Sequence, residues 1–69
     1  MSVSATYTVT GMTCQHCVSS VTEELSEVTG VTGVAVDLPT GAVTVTSERE
    51  LSAEEVKAAV TEAGYQLTS

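Results

Sequence analysis

The chain has no phenylalanine and no tryptophan, and its only aromatic residues are Tyr7 and Tyr65. With 42% hydrophobic residues it is globular, so a core must be assembled from Val, Leu and Ala. At 69 residues the chain lies near the lower limit at which a hydrophobic core alone supports a fold. One domain spanning 1–69 is expected, with no room for a substrate cleft and a multi-residue catalytic constellation; an enzyme is not expected. Cations are equally scarce. Arg49 and Lys57 face nine acidic residues, a formal charge of -7. That balance repels phosphate backbones and leaves no basic stripe to follow them, so nucleic acid is not expected as a partner. A basic patch on another protein is the better electrostatic match. No apolar run approaches the roughly 20 residues of a membrane span, so direct membrane insertion is not expected. The first residues, MSVSATYTVTG, carry neither a basic n-region nor an apolar h-region, which predicts a cytoplasmic protein.

What the chain does have is regular patterning. Val3, Ala5, Tyr7 and Val9 alternate with Ser4, Thr6, Thr8 and Thr10, the period of a half-buried strand, and Gly11 breaks it. From Cys17 the apolar residues move to helical spacing through Val18, Val21, Leu25 and Val28, with Glu23, Glu24 and Glu27 outward; Gly30 is the expected helix stop. Val34, Val36 and Leu38 alternate again, DLPTG supplies a turn, and Val43 and Val45 return as a hairpin. Ser52 with Glu55 forms a capping box signature, and Leu51 before it can pack on Val56. The second helix buries Val56, Ala59, Val60 and Ala63 and stops at Gly64, after which Tyr65 and Leu67 form a short strand. Strand, helix, strand, strand, helix, strand is the α+β ferredoxin-like order: a βαββαβ sandwich whose four-stranded antiparallel sheet carries both helices on one face.

The chemistry is concentrated in GMTCQHCV, Gly11 to Val18, which holds both cysteines and the only histidine. In a reducing compartment a cysteine pair is more often a metal or redox site than a staple, and a bridge across two residues would restrict the unfolded chain little. The pattern places Cys14 in the strand-to-helix loop and Cys17 in the first helical turn. There the unpaired N–H groups and partial positive charge favour a thiolate. Structural zinc needs four donors, and a second CxxC or paired histidines are absent. Magnesium and calcium want oxygen ligands. Soft thiolates in low coordination number suit Cu(I).

A CxxC alone is a moderate signal, but strand-Gly-x-x-Cys-x-x-Cys-helix within a short βαββαβ chain is a strong one. In GMTCQHCV, the following helix, the DLPTG hairpin and AGY before the last strand, the sequence resembles the heavy-metal-associated (HMA) domain family. Within it, it is similar to the free-standing bacterial copper chaperones of the CopZ type. The resemblance implies that Cys14 and Cys17 bind one Cu(I) as a near-linear bis-thiolate and pass it to a similar site by ligand exchange. The acceptor it implies is a copper-transporting P-type ATPase or a copper-responsive regulator, and the exposed thiols allow a copper-bridged homodimer. Met12 packs under the loop in the family rather than ligating. Thr13 stands where zinc- and cadmium-handling relatives often carry an acid, which favours a monovalent ion. Tyr65 is expected to shield the metal and tune access to it. His16, between the cysteines, is expected to be solvated with a modest modulatory influence.

Three rival readings use the same residues. A thiol-disulfide oxidoreductase also places CxxC at a helix start, but the larger thioredoxin-like layout and its cis-proline are missing. A mercury-binding domain of the periplasmic kind would need a signal peptide. A metal-binding domain of a P-type ATPase is the third, against which the initial Met and the chain ends predict a complete protein.

Overall fold

The computed structural model describes residues 2–68. Its elements run β1 (Val3–Thr10), α1 (Gln15–Ser26), β2 (Val31–Asp37), β3 (Ala42–Ser47), α2 (Ala53–Glu62) and β4 (Gln66–Leu67). The strands form one sheet in the order β2-β3-β1-β4, every pairing antiparallel. This is the ferredoxin-like βαββαβ architecture read from the sequence.

The alternation in β1 and β3 decides which face is covered. Val9, Val43 and Val45 point to the helical side and are buried, together with Val21, Leu25, Val56, Ala59 and Val60 from the helices. Ser4 and Thr6 meet Thr46 and Thr44 across the open face through hydroxyl contacts of 3.4 and 3.2 Å. A one-residue slip of β1 on β3 would exchange these faces, so burial of the valines fixes the register. With no side chain in this core larger than Leu25, close packing has to come from matching branched residues rather than from one large ring.

Helix α2 begins as its sequence predicts. The Ser52 hydroxyl accepts from the Glu55 N–H at 3.2 Å, and Glu55 accepts the Ser52 N–H in return, completing the capping box. Such a cap contributes about 1 kcal/mol. Arg49 adds a two-pronged ion pair to Glu55, at 3.2 and 2.6 Å, tying the β3–α2 loop to the helix start. At its other end, Gly64 takes a positive φ of 94°. Its N–H reaches the Thr61 carbonyl, and the Tyr65 N–H reaches Val60. This pair of bonds is the Schellman arrangement, which only a residue at ease in the left-handed region closes without strain. Its consequence is positional, because it leads directly into Tyr65, whose ring lies beside Gly11.

Three sequence expectations need correction. Helix α1 ends at Ser26 with Glu27 as its C-cap, not at Gly30. The Glu27 and Val28 N–H groups drop to three-residue bonds with Glu24 and Leu25, tightening the last turn. Gly30 lies beyond it at the entrance to β2, where its carbonyl accepts the Glu48 N–H at 2.7 Å. Leu38 and Tyr65 likewise fall outside the strands assigned to them, in the β2–β3 turn and just before β4.

Candidate metal centre

The loop from Gly11 to Cys14 is where the chain passes from sheet to helix. Gly11 has a φ of 94°, and a Cβ built on it would stand 3.3 Å from Cδ1 of Tyr65. Glycine is thus required twice over, for the turn and for the approach of that ring. Cys14 is the N-cap of α1, in extended conformation (φ -155°, ψ 171°), with no side-chain cap of its own. Its carbonyl receives the N–H groups of Cys17 and Val18 at 3.0 and 3.2 Å. Serine or aspartate, the usual N-caps, would direct an oxygen at these free N–H groups; cysteine leaves its sulfur turned outward.

The two sulfurs stand 3.4 Å apart and both cysteines are free. A disulfide needs about 2.05 Å, so the pair is a dithiol. Cys14 is exposed, Cys17 half-buried. The Cys17 thiol is lowered to about 6. Hydrogen bonding from the Tyr65 hydroxyl is the largest cause, followed by the Thr13 backbone and by Cys14. The Thr13 hydroxyl, 3.8 Å from the Cys17 sulfur, adds a smaller part. The reciprocal effect raises the Tyr65 phenol, whose proton is held by the bond to Cys17. At pH 7 Cys17 is therefore mostly thiolate, the form that attacks electrophiles and binds metals.

Sequence reasoning nominated five residues here. The structure brings Cys14, Cys17 and Tyr65 together. Met12 is half-buried and packs against the core under the loop. His16 is exposed in the first turn of α1, its carbonyl accepting the Ser20 hydroxyl at 3.3 Å. Thr13 was read only for the acid it replaces, whereas it contacts Cys17 directly. Its hydroxyl reaches Cys17 from the loop before the N-cap, a position that helical spacing does not describe.

Replacing Tyr65 with phenylalanine removes the first cause of the lowered thiol pKa and keeps the ring. The pH midpoint for alkylation of Cys17 by iodoacetamide, resolved from that of Cys14 by peptide mass spectrometry, should move upward from the value near 6. Alkylation at pH 6.5 should slow correspondingly. An unchanged midpoint in Tyr65→Phe would mean that Tyr65 does not hold the thiolate.

An exposed CxxC dithiol at the start of the first helix of a ferredoxin-like sandwich defines a small module suited to soft, thiophilic ions. The chain belongs to the heavy-metal-associated domain family, which matches residues 6–66. It is 42% identical over 59 residues to the COP-associated protein of Helicobacter felis, covering 86% of this chain and 89% of that one. It is 36% identical over 63 residues to the copper chaperone CopZ of Bacillus subtilis, covering 90% and 91%. Among solved structures, a copper-binding domain of a P-type ATPase superposes with a TM-score of 0.85 at 30% identity, over 94% of this chain and 89% of that domain.

Proposed function

We propose that this protein is a cytoplasmic copper chaperone, a binding and transfer protein rather than an enzyme, that carries one Cu(I) on Cys14 and Cys17. The observation that carries this reading is the pair of free sulfurs 3.4 Å apart at an exposed helix start, one of them already a thiolate at neutral pH. Two soft anionic donors with no third ligand from the described residues match Cu(I), and leave zinc short of its tetrahedron. Metal–thiolate bonds near 2.3 Å in a straight line require the sulfurs to part by about 1 Å. Cys14, whose exposed side chain makes no capping hydrogen bond, is the one free to make that movement while its carbonyl keeps the first helical bonds.

Transfer follows from the same openness. Because the dithiol sits at the surface, a first thiolate of an acceptor can add to the ion while both cysteines still hold it; Cys14 leaves, a second acceptor thiolate adds, and Cys17 leaves last. No free ion is released at any stage. A copper-transporting P-type ATPase is the acceptor of choice, and the likeness to such an enzyme's copper-binding domain supports an exchange between two similar sites. A copper-responsive regulator is the second candidate acceptor. Tyr65 covers the open side of the site beside Cys17, Met12 supports the loop from below, and His16 modulates from the surface. Two copies meeting through their thiols would form a copper-bridged dimer.

The test is transfer itself. Cu(I)-loaded protein mixed with a copper-free ATPase metal-binding domain should deliver its ion faster than it yields the ion to an equal concentration of a chelator that cannot dock. Delivery no faster than this spontaneous release would overturn the chaperone reading and leave a copper buffer.

A further inference from the structure

The carboxylates of the helical layer are not used by the thiol chemistry. Glu23 and Glu24 lie in the last turn of α1 and Glu27 caps it, with no basic residue in that turn. The carbonyl end of a helix is partially negative, so acids there are unfavourably placed. Glu24, Glu27, Glu55 and Glu62 rim an open groove of about 340 Å³ between α1 and α2. Glu24 is held above the usual carboxylate range, first by loss of solvation and then by repulsion from Glu27, Glu62 and Glu23. Of this group only Glu55 is in an ion pair among the described residues, with Arg49. Lys57, the other cation, lies beside Glu54 and Glu62 on another side of α2 and forms no ion pair among the described residues. Against this repulsion stands a core of eight buried apolar residues, none larger than leucine, among the described residues.

We infer that this fold is adapted to high ionic strength: repulsion along the ridge of Glu23, Glu24, Glu27 and Glu62 limits the folded population in dilute solution, and monovalent salt relieves it. Charges interact over about 10 Å at 0.1 M salt but only about 3 Å at 1 M, so molar salt uncouples the carboxylates of neighbouring helices. Self-repulsion of this kind is what destabilises compact states of high net charge. Only the folded chain brings Tyr65 and Thr13 to Cys17, so the number of assembled thiol sites rises and falls with ionic strength. The inference stands apart from the copper reading, because it concerns the fold whatever ion the dithiol holds.

Thermal unfolding of the metal-free, reduced protein followed by circular dichroism tests it. Between 0.05 and 2 M KCl the midpoint should rise by about 10 °C, a large shift for a domain of this size. Tetramethylammonium chloride should act in the same way. The triple variant Glu24→Gln, Glu27→Gln, Glu62→Gln should melt higher than the parent at 0.05 M and gain much less from salt. The double variant Glu48→Gln, Glu50→Gln, away from the ridge, should keep most of the salt response. A midpoint indifferent to KCl, a rise confined to potassium, or a triple variant with the full response would each overturn the inference, as would an equal flattening by the double variant.

Discussion

Cys17→Ser is expected to lower Cu(I) affinity by more than about a hundredfold, beyond the 10–100-fold that loss of a supporting residue around a metal costs. The substitution removes one of two soft donors, and it removes the one whose thiol is lowered to about 6. An alcohol in its place is neutral and hard, and Cu(I) discriminates against such donors. Serine is nearly the shape of cysteine and Cys17 is only half-buried, so the far-UV spectrum should not change. Cys14→Ser should weaken binding by a similar factor. Competition against a Cu(I) chelator of known affinity reads both, and retention of affinity within tenfold in either variant would remove that sulfur from the ligand set.

The second large effect is on stability. Leu25 is fully buried and the largest side chain at the centre of the core. Truncation of such a leucine to alanine costs about 2–5 kcal/mol, the spread reflecting how far the surroundings collapse into the gap. A chain of this length has a total stability of only about 3–10 kcal/mol. Valines on β1, β3 and both helices close around Leu25 from several sides and have little freedom at χ1 to refill the space. Leu25→Ala should therefore lower the thermal midpoint by at least 10 °C, at about 4–8 °C per kcal/mol. A loss below about 1 kcal/mol in urea denaturation would mean that the core repacks far more readily than its branched side chains allow.

The two variants separate the two layers of the molecule. Cys17→Ser should change binding and leave folding, whereas Leu25→Ala should change folding and leave the chemistry of the thiols that remain folded. A ligand that binds only the native state raises its stability, so Cu(I) should raise the midpoint of Leu25→Ala and barely move that of Cys17→Ser.

Much of this arrangement was legible in the sequence because local signals and global fold agree. Val3 to Thr10 alternates strictly and becomes β1 over those same residues. Ser52 and Glu55 announce a capping box, and both halves of it form. The end of α1 was misread because Gly30 is the nearest glycine. The helix leaves its regular hydrogen bonding earlier, at Ser26, where entry into β2 and pairing with β3 begin to govern the backbone. A stop signal three residues past the true cap cannot be distinguished by residue type alone.

At the site, spacing alone placed Cys14 and Cys17 on the loop and the first helical turn. What spacing could not supply was the partner set of each sulfur. Tyr65 is 48 positions from Cys17 in the chain, and only the Schellman turn at Gly64, together with pairing of β4 on β1, carries its hydroxyl to the thiol. Long-range contacts of this kind are products of the whole sheet. The local contact, Thr13 on Cys17, depends on how the loop enters the helix, because Thr13 stands before the N-cap and outside the helical spacing.

The central claim is that Cys14 and Cys17, with no further protein ligand among the described residues, make this a site for Cu(I). Anaerobic titration of the reduced protein with Cu(I) and, separately, with Zn(II), each in competition with a chelator of known affinity, tests it most directly. One Cu(I) per chain, held far more tightly than Zn(II) and dependent on both Cys14 and Cys17, is the predicted result. Tighter binding of Zn(II) than of Cu(I), or Cu(I) binding that survives loss of either cysteine, would contradict it.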